Sequence, residues 1–198
     1  RELETRRRAL RQCEGFAFPE SNDLVPRLLG SLPFELTAAQ SRCIDEIGAD
    51  LAARLPMRRL LHGDVGSGKT LVALCAALRV VEHGFQAAIM VPTEILAEQH
   101  FHTVRRLASG IGMEDVVLFK GGARTALKRE LRNGLASGAT RLVVGTHALI
   151  EADVEFARLG LAIVDEQHRF GVAQRARLSA KGAAIDLLIM TATPIPRS

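Results

Sequence analysis

The chain has 198 residues, of which 47% are hydrophobic and 24% charged, enough for one domain with a substantial core and unlike a low-complexity or fibrous chain. Its basic residues exceed its acidic ones by 26 − 22 = 4, with a sequence pI near 9.4. That balance permits a nucleic-acid partner without demanding one. No apolar run approaches the ~20 residues of a membrane helix, and Arg1-Glu2-Leu3-Glu4 is no signal peptide. Cys13, Cys43 and Cys75 are odd in number, share no metal-like spacing, and read as free thiols of a reducing compartment. A start on Arg1 and an end at Ser198, directly after a motif, suggest a piece of a longer protein.

In chain order, residues 1–12 read as a charged helix carrying Arg6-Arg7-Arg8. It is either an arm toward DNA or a solvated linker helix. A loop from Gly15 to Asp23 follows, then a short helix over about Leu24–Leu29, closed by Gly30 and Pro33. A helix is predicted from Thr37 to about Leu55, with Ile44, Ile47 and Leu51 on one face. Thr37-x-x-Gln40 is a capping box that satisfies orphan N–H groups. The same residues at the same spacing would let Gln40 read an adenine edge beside a phosphate site, and both uses stay open.

The apolar pair Leu60-Leu61 leads into Gly63-Asp64-Val65-Gly66-Ser67-Gly68-Lys69-Thr70, which fits G-x-x-x-x-G-K-[ST] without a mismatch. Its glycines allow positive φ and close approach to an anion. Successive N–H groups form a nest, and the helix that follows adds its positive end. Lys69 is expected to reach the β- and γ-phosphates of a nucleotide and the Thr70 hydroxyl to hold Mg²⁺.

From here strands and helices alternate. Helices are predicted over about Lys69–His83, Ile95–Ser109 and Arg124–Leu135. Strands are predicted at Gln86–Val91, Val116–Phe119, Arg141–Val144, Leu161–Val164 and Asp186–Met190. Short apolar strands between helices indicate an α/β fold: a mostly parallel sheet with helices on both faces. Ligands in such sheets bind at the carboxyl ends of the strands. Each polar motif begins where a strand ends: Pro92-Thr93, Lys120-Gly121-Gly122, Gly145-Thr146-His147, Asp165-Glu166-Gln167-His168 and Thr191-Ala192-Thr193. All are therefore expected along one edge.

Leu161-Ala-Ile-Val164 would carry Asp165 to the Mg²⁺, and Glu166 would orient or deprotonate the attacking water. His168 would sense the γ-phosphate and couple it to other contacts. His100 and His102 are two apart, on different helix faces, and read as solvated.

These motifs together, with Leu36-Thr37-x-x-Gln40, Pro92-Thr-Glu-Ile-Leu-Ala-Glu-Gln-His100, Asp165-Glu-Gln-His-Arg-Phe-Gly-Val172 and Thr191-Ala-Thr-Pro-Ile-Pro-Arg197, resemble the first motor domain of superfamily 2 helicases. Within it the chain is similar to the RecG family of bacterial branched-DNA helicases, over about residues 33–198. Ser67 and Gln167 favour that family over transcription–repair coupling factors, which share the His-Arg-Phe-Gly-Val run.

The resemblance implies a RecA-like P-loop NTPase domain using ATP and Mg²⁺, with residues 1–32 linking it to an upstream wedge domain. Gln40 would read adenine, with Phe34 nearby. Pro92, Thr93, Gly145, Thr146, His168, Thr191 and Thr193 would contact the DNA backbone or couple it to ATP. The threonines would serve equally as helix caps. Arg105, Arg106, Arg124, Lys128, Arg129 and Arg132 form either a phosphate track or a solvated helix face. The implied protein is cytoplasmic, acts on forked DNA, and needs a second RecA-like domain for turnover. A nucleotide-gated binding module without turnover is the competing function, and Glu166 argues against it.

Overall fold

The computed structural model describes residues 15–122, 125–165 and 184–192. The charged segment 1–12, Cys13, Arg124, Glu166, His168 and Thr193 lie outside them. Helices α1 (Leu24–Ser31) and α2 (Ala38–Ala52) precede a regular alternation: β1 (Arg58–His62), α3 (Lys69–Glu82), β2 (Gln86–Met90), α4 (Glu94–Ser109), β3 (Val116–Phe119), α5 (Thr125–Ser137), β4 (Leu142–Gly145), β5 (Leu159–Asp165) and β6 (Asp186–Thr191). A 3₁₀ turn at His147–Ile150 follows β4. The strands form one sheet in the order β1-β6-β5-β2-β4-β3, and every pairing is parallel.

The apolar runs become strands because they are buried from both sides. Along β2, Ala87 and Ile89 face one core and Ala88 and Met90 the other; Leu161 and Ile163 alternate with Ala162 and Val164 along β5 in the same way. The first core is closed by Leu28 of α1, Ile47 and Leu51 of α2, the apolar face of α3, and Ala97, Val104 and Ala108 of α4. The second is closed by Leu135 of α5, Ala148–Ile150 and Val154. α3 has ten buried residues and passes under the sheet as its central helix. Within it the Cys75 thiol is pushed up to about 12 by burial, so it stays protonated and inert.

Residues ahead of α2 belong to this packing. Phe18 is fully buried, its N–H donates to Leu51 O at 2.7 Å, and its ring meets Phe85 edge-on at 5.0 Å. Asp23 makes no side-chain cap for α1. Instead the Glu82 carboxylate, at the end of α3, accepts from Asn22 N at 2.9 Å, Leu24 N at 3.1 Å and the Ser21 hydroxyl. The first turn of α1 is thus served by the local Ser21 Oγ, which accepts from Val25 N at 3.2 Å, together with a distant acid.

Candidate functional site

Parallel register aligns the strand ends. His62 sits opposite Thr191, Met190 opposite Asp165, Val164 opposite Met90, and Met90 opposite Gly145. Across the carboxyl edge the order is therefore the glycine loop, Thr191, Asp165, Pro92-Thr93, and Gly145-Thr146. Neighbouring strands lie ~4.8 Å apart, so residues spread over more than a hundred positions share one rim.

The loop from Gly63 to Gly68 is pinned at its start, where Gly63 N donates to Thr191 O at 3.3 Å, and it turns on itself where Ser67 N donates to Asp64 O at 3.1 Å. Gly66 and Gly68 hold φ of 81° and 82°, a region side chains rarely adopt. Gly68 is also the N-cap of α3, so the loop delivers its N–H groups to the positive end of a helix. Lys69 Nζ donates to Gly63 O at 2.6 Å and Asp64 O at 2.7 Å. Among the described residues its hydrogen bonds go to these carbonyls, which an anion of higher charge would replace favourably. Asp64, Val65, Gly66 and Ser67 are exposed, Val65 at 90%.

Gln40 serves the cap and the loop together. Thr37 N donates to Gln40 Oε1 at 2.9 Å and Gln40 N to Thr37 Oγ1 at 3.2 Å, a complete capping box. Gln40 Nε2 then donates to Ser67 O at 3.0 Å. A Cβ at position 68 would displace that amide from Ser67 O, while the positive φ is what calls for glycine there. Phe34 is exposed nearby in sequence, at 55%.

Two of the threonines, Thr93 and Thr146, make helix caps, whereas Thr191 ends β6. Thr93 Oγ1 accepts from Leu96 N at 3.3 Å at the start of α4. Thr146 Oγ1 accepts from Ala148 N at 3.4 Å, opening the 3₁₀ turn. Thr93 remains exposed whereas Thr146 is buried. Gly145 is set by packing: a Cβ there would lie 2.6 Å from Phe119 O and 3.0 Å from Leu149 Cδ1. Among the basic residues of the suggested track, Arg132 pairs with Asp153 and Arg105 lies 5.7 Å from the Phe101 ring centre, so neither is a bare surface charge.

One reading is overturned. His100 is not solvated: its Nε2 lies 3.1 Å from Asp165 Oδ2, and each side chain is only 14% exposed. Helix spacing alone could not reveal this, because the partner is 65 positions away. The signal that could have found it is topological: α4 follows β2, and β2 pairs with β5, which ends at Asp165. His102 is exposed.

The donor set suits the implied groups. A glycine nest with a lysine fits phosphates, and a hydroxyl on Thr70 with a carboxylate on Asp165 offers the hard oxygen ligands that Mg²⁺ prefers. A parallel sheet with this loop after β1 and an acid ending β5 defines a RecA-like P-loop domain. The chain belongs to the DEAD/DEAH box helicase family, whose profile matches residues 37–198.

Within that family the chain is similar to the first motor domain of RecG. It is 48% identical to the ATP-dependent DNA helicase RecG of Synechocystis sp. over 198 residues, covering 99% of this chain and 24% of that protein. It is 54% identical to RecG of Acidithiobacillus ferridurans over 172 residues, covering 87% and 25%. A solved structure of RecG bound to a three-way DNA junction superposes with a TM-score of 0.87 at 44% identity, over 98% of this chain and 26% of that one. The chain thus spans about a quarter of the length of these relatives. The DEAD-box helicase Mss116, bound to single-stranded RNA and UDP-BeF, shares the fold at 19% identity, with a TM-score of 0.70 over 90% of this chain and 39% of that one.

Proposed function

We propose that this domain is the ATP-binding half of a DNA motor that couples ATP hydrolysis to the remodelling of branched DNA. The observation that carries the reading is the shared rim: a phosphate loop, a carboxylate and two capped strand ends aligned on adjacent parallel strands. The loop N–H groups and Lys69 bind the triphosphate, and the Gln40 amide, held on the loop by Ser67 O, reads the adenine. Thr70 and Asp165 would hold Mg²⁺, which would supply neutralising charge on the phosphates.

Glu166 orients the water and takes its proton as the water oxygen bonds the γ-phosphorus and the bond from that phosphorus to the leaving ADP oxygen breaks. Pro92, Thr93, Gly145, Thr146, Thr191 and Thr193 contact the DNA backbone or transmit its position, and His168 senses the γ-phosphate. A second RecA-like domain closes the cleft and contributes an arginine, the kind of group that raises turnover about 10³–10⁵-fold in related NTPases. The whole protein would work on forked duplexes in the bacterial cytoplasm, with a wedge domain upstream.

Titration of a fluorescent ATP analogue with Mg²⁺ into this chain tests the first step. Saturable binding is expected, and Lys69→Ala should weaken it roughly tenfold or more, as removal of a charge-assisted contact does. Equal affinity in a folded Lys69→Ala variant would refute the assignment.

A further inference from the structure

We propose that His100 is a positioning residue of the nucleotide site, fixing the Asp165 carboxylate and tying it to helix α4. The inference rests on the reading of Asp165 as the Mg²⁺-side acid. Nε2 of the imidazole faces Asp165 Oδ2 at 3.1 Å, in surroundings that leave each side chain 14% exposed. One carboxylate oxygen is thereby engaged by the protein, and in this proposal Oδ1 would face the cation or a water on it. An ionised carboxylate only accepts, so Nε2 carries the proton.

His100 Nδ1 is buried and has no hydrogen-bond partner among the described residues. Buried polar atoms are normally paired, and each exception asks for a reason. An imidazole kept merely for packing would use both nitrogens or give way to an apolar side chain. Among the described residues Nδ1 has no partner while Nε2 faces Asp165, so the contact to Asp165 is the polar engagement of this ring that carries the inference.

The helix that carries His100 is fastened elsewhere along the same rim. Thr93 caps its start, Glu94 Oε1 accepts from Gly122 N at 3.3 Å, and Glu98 pairs with Lys120. Lys120 and Gly122 follow β3, which lies at the far end of the sheet from β1. His100 comes seven residues after Thr93, two turns on and about 10 Å along the axis, on nearly the same face. α4 is therefore a strut whose first turn stands at Pro92-Thr93, whose flank grips the β3 loop, and whose second turn holds the acid. Through His100, a displacement at the proposed DNA-side strand ends would be felt by the carboxylate.

The test is Mg²⁺-dependent binding of a fluorescent ATP analogue to the 198-residue chain, in wild type and in His100→Ala, His100→Gln, Asp165→Ala and the His100→Ala/Asp165→Ala double variant. Melting curves and an EDTA titration run alongside. Loss of an outer-shell partner typically weakens metal binding about 10–100-fold. His100→Ala should therefore raise the half-saturating Mg²⁺ concentration roughly tenfold and leave binding in EDTA unchanged. His100→Gln, which can present an N–H to the carboxylate, should recover most of the loss. In the Asp165→Ala background the histidine substitution should add nothing.

A purely structural histidine would lower the melting temperature without touching the Mg²⁺ dependence. The proposal is overturned if His100→Ala behaves as wild type while Asp165→Ala loses its Mg²⁺ dependence. It is equally overturned if Asp165→Ala keeps that dependence, and in that case the assignment of Asp165 falls with it.

Discussion

At the amino ends of the strands, Gln86 gives all its polar capacity to the fold. Its Nε2 donates to Leu135 O at 2.9 Å and Thr140 O at 2.7 Å, its Oε1 accepts from Arg158 N at 2.9 Å, and it is 2% exposed. At the carboxyl ends, the Lys69 ammonium holds two loop carbonyls and the glycine loop stands open to water. One edge uses side chains to complete backbone hydrogen bonding where strands begin. The other keeps donors and acceptors in arrangements a ligand can replace. Parallel sheets separate these roles because all strand ends of one kind lie together. The comparison predicts two classes of variant: those that alter ligand behaviour and not melting, and those that do the reverse.

The largest effect is expected at Glu166. Glu166→Gln, measured in the whole protein with its second motor domain and forked DNA, should lower ATP turnover roughly 10²-fold or more, the range of general-base catalysis. Nucleotide affinity and melting temperature should stay near wild type. Comparable turnover in the variant would remove the catalytic base from the carboxyl edge and weaken the contrast at its functional end.

Gln86→Leu probes the opposite edge. It keeps the approximate volume, and Leu135 O still accepts from Gly138 N and Ala157 N, but it takes the side-chain donor from Thr140 O and the acceptor from Arg158 N. Each such group costs about 1–3 kcal/mol, so a loss of about 3 kcal/mol and a fall of about 10 °C in Tm are expected. Nucleotide binding at a temperature where the variant is folded should be unchanged. A change in nucleotide affinity without a change in Tm would break the division between the edges.

These two sites also mark what could be read from the chain alone. The glycine loop, the gathering of strand-end motifs along one edge, and most element limits followed from local rules. β3 runs from Val116 to Phe119 as expected, and α4 ends at Ser109, because both obey apolar spacing and caps within a few residues. Gln86 and His100 did not follow from such rules. Gln86 is a polar residue opening an apolar strand, which looks like a boundary marker until α5, β4 and β5 are brought around it. His100 was weighed against its own helix, whereas its partner arrives on the strand beside β2. Gly145 likewise reads as a motif glycine, yet Phe119 O and Leu149 supply a packing reason for it. What escaped is long-range and polar: contacts whose partners are set by topology rather than by periodicity.

Asp186 sharpens the comparison through pH, because among the described residues it is an acid at the amino edge whose ionisation burial opposes. It is 1% exposed. Its Oδ1 accepts from Met57 N at 2.5 Å, and Oδ2 has no partner among the described residues. Burial pushes this carboxyl up to about 7, against partial opposition from the Met57 N–H and the Arg58 guanidinium. An unfolded aspartate titrates near 3.9, so between that value and about 7 the folded state binds the extra proton. Stability from this group is then complete at low pH and is lost as pH rises toward 7. Asp186→Asn keeps an acceptor for Met57 N and removes the titration. The Tm of the variant relative to wild type should therefore rise by about 5–10 °C between pH 5 and pH 8, the shift expected for the roughly 2–3 kcal/mol that two pH units of linkage carry. Melting of both proteins across that range decides it. A constant difference would mean that Asp186 is ionised throughout and that Arg58 holds it as a buried ion pair. In either case Mg²⁺-dependent nucleotide binding, which lives at the other end of the strands, should not follow the change.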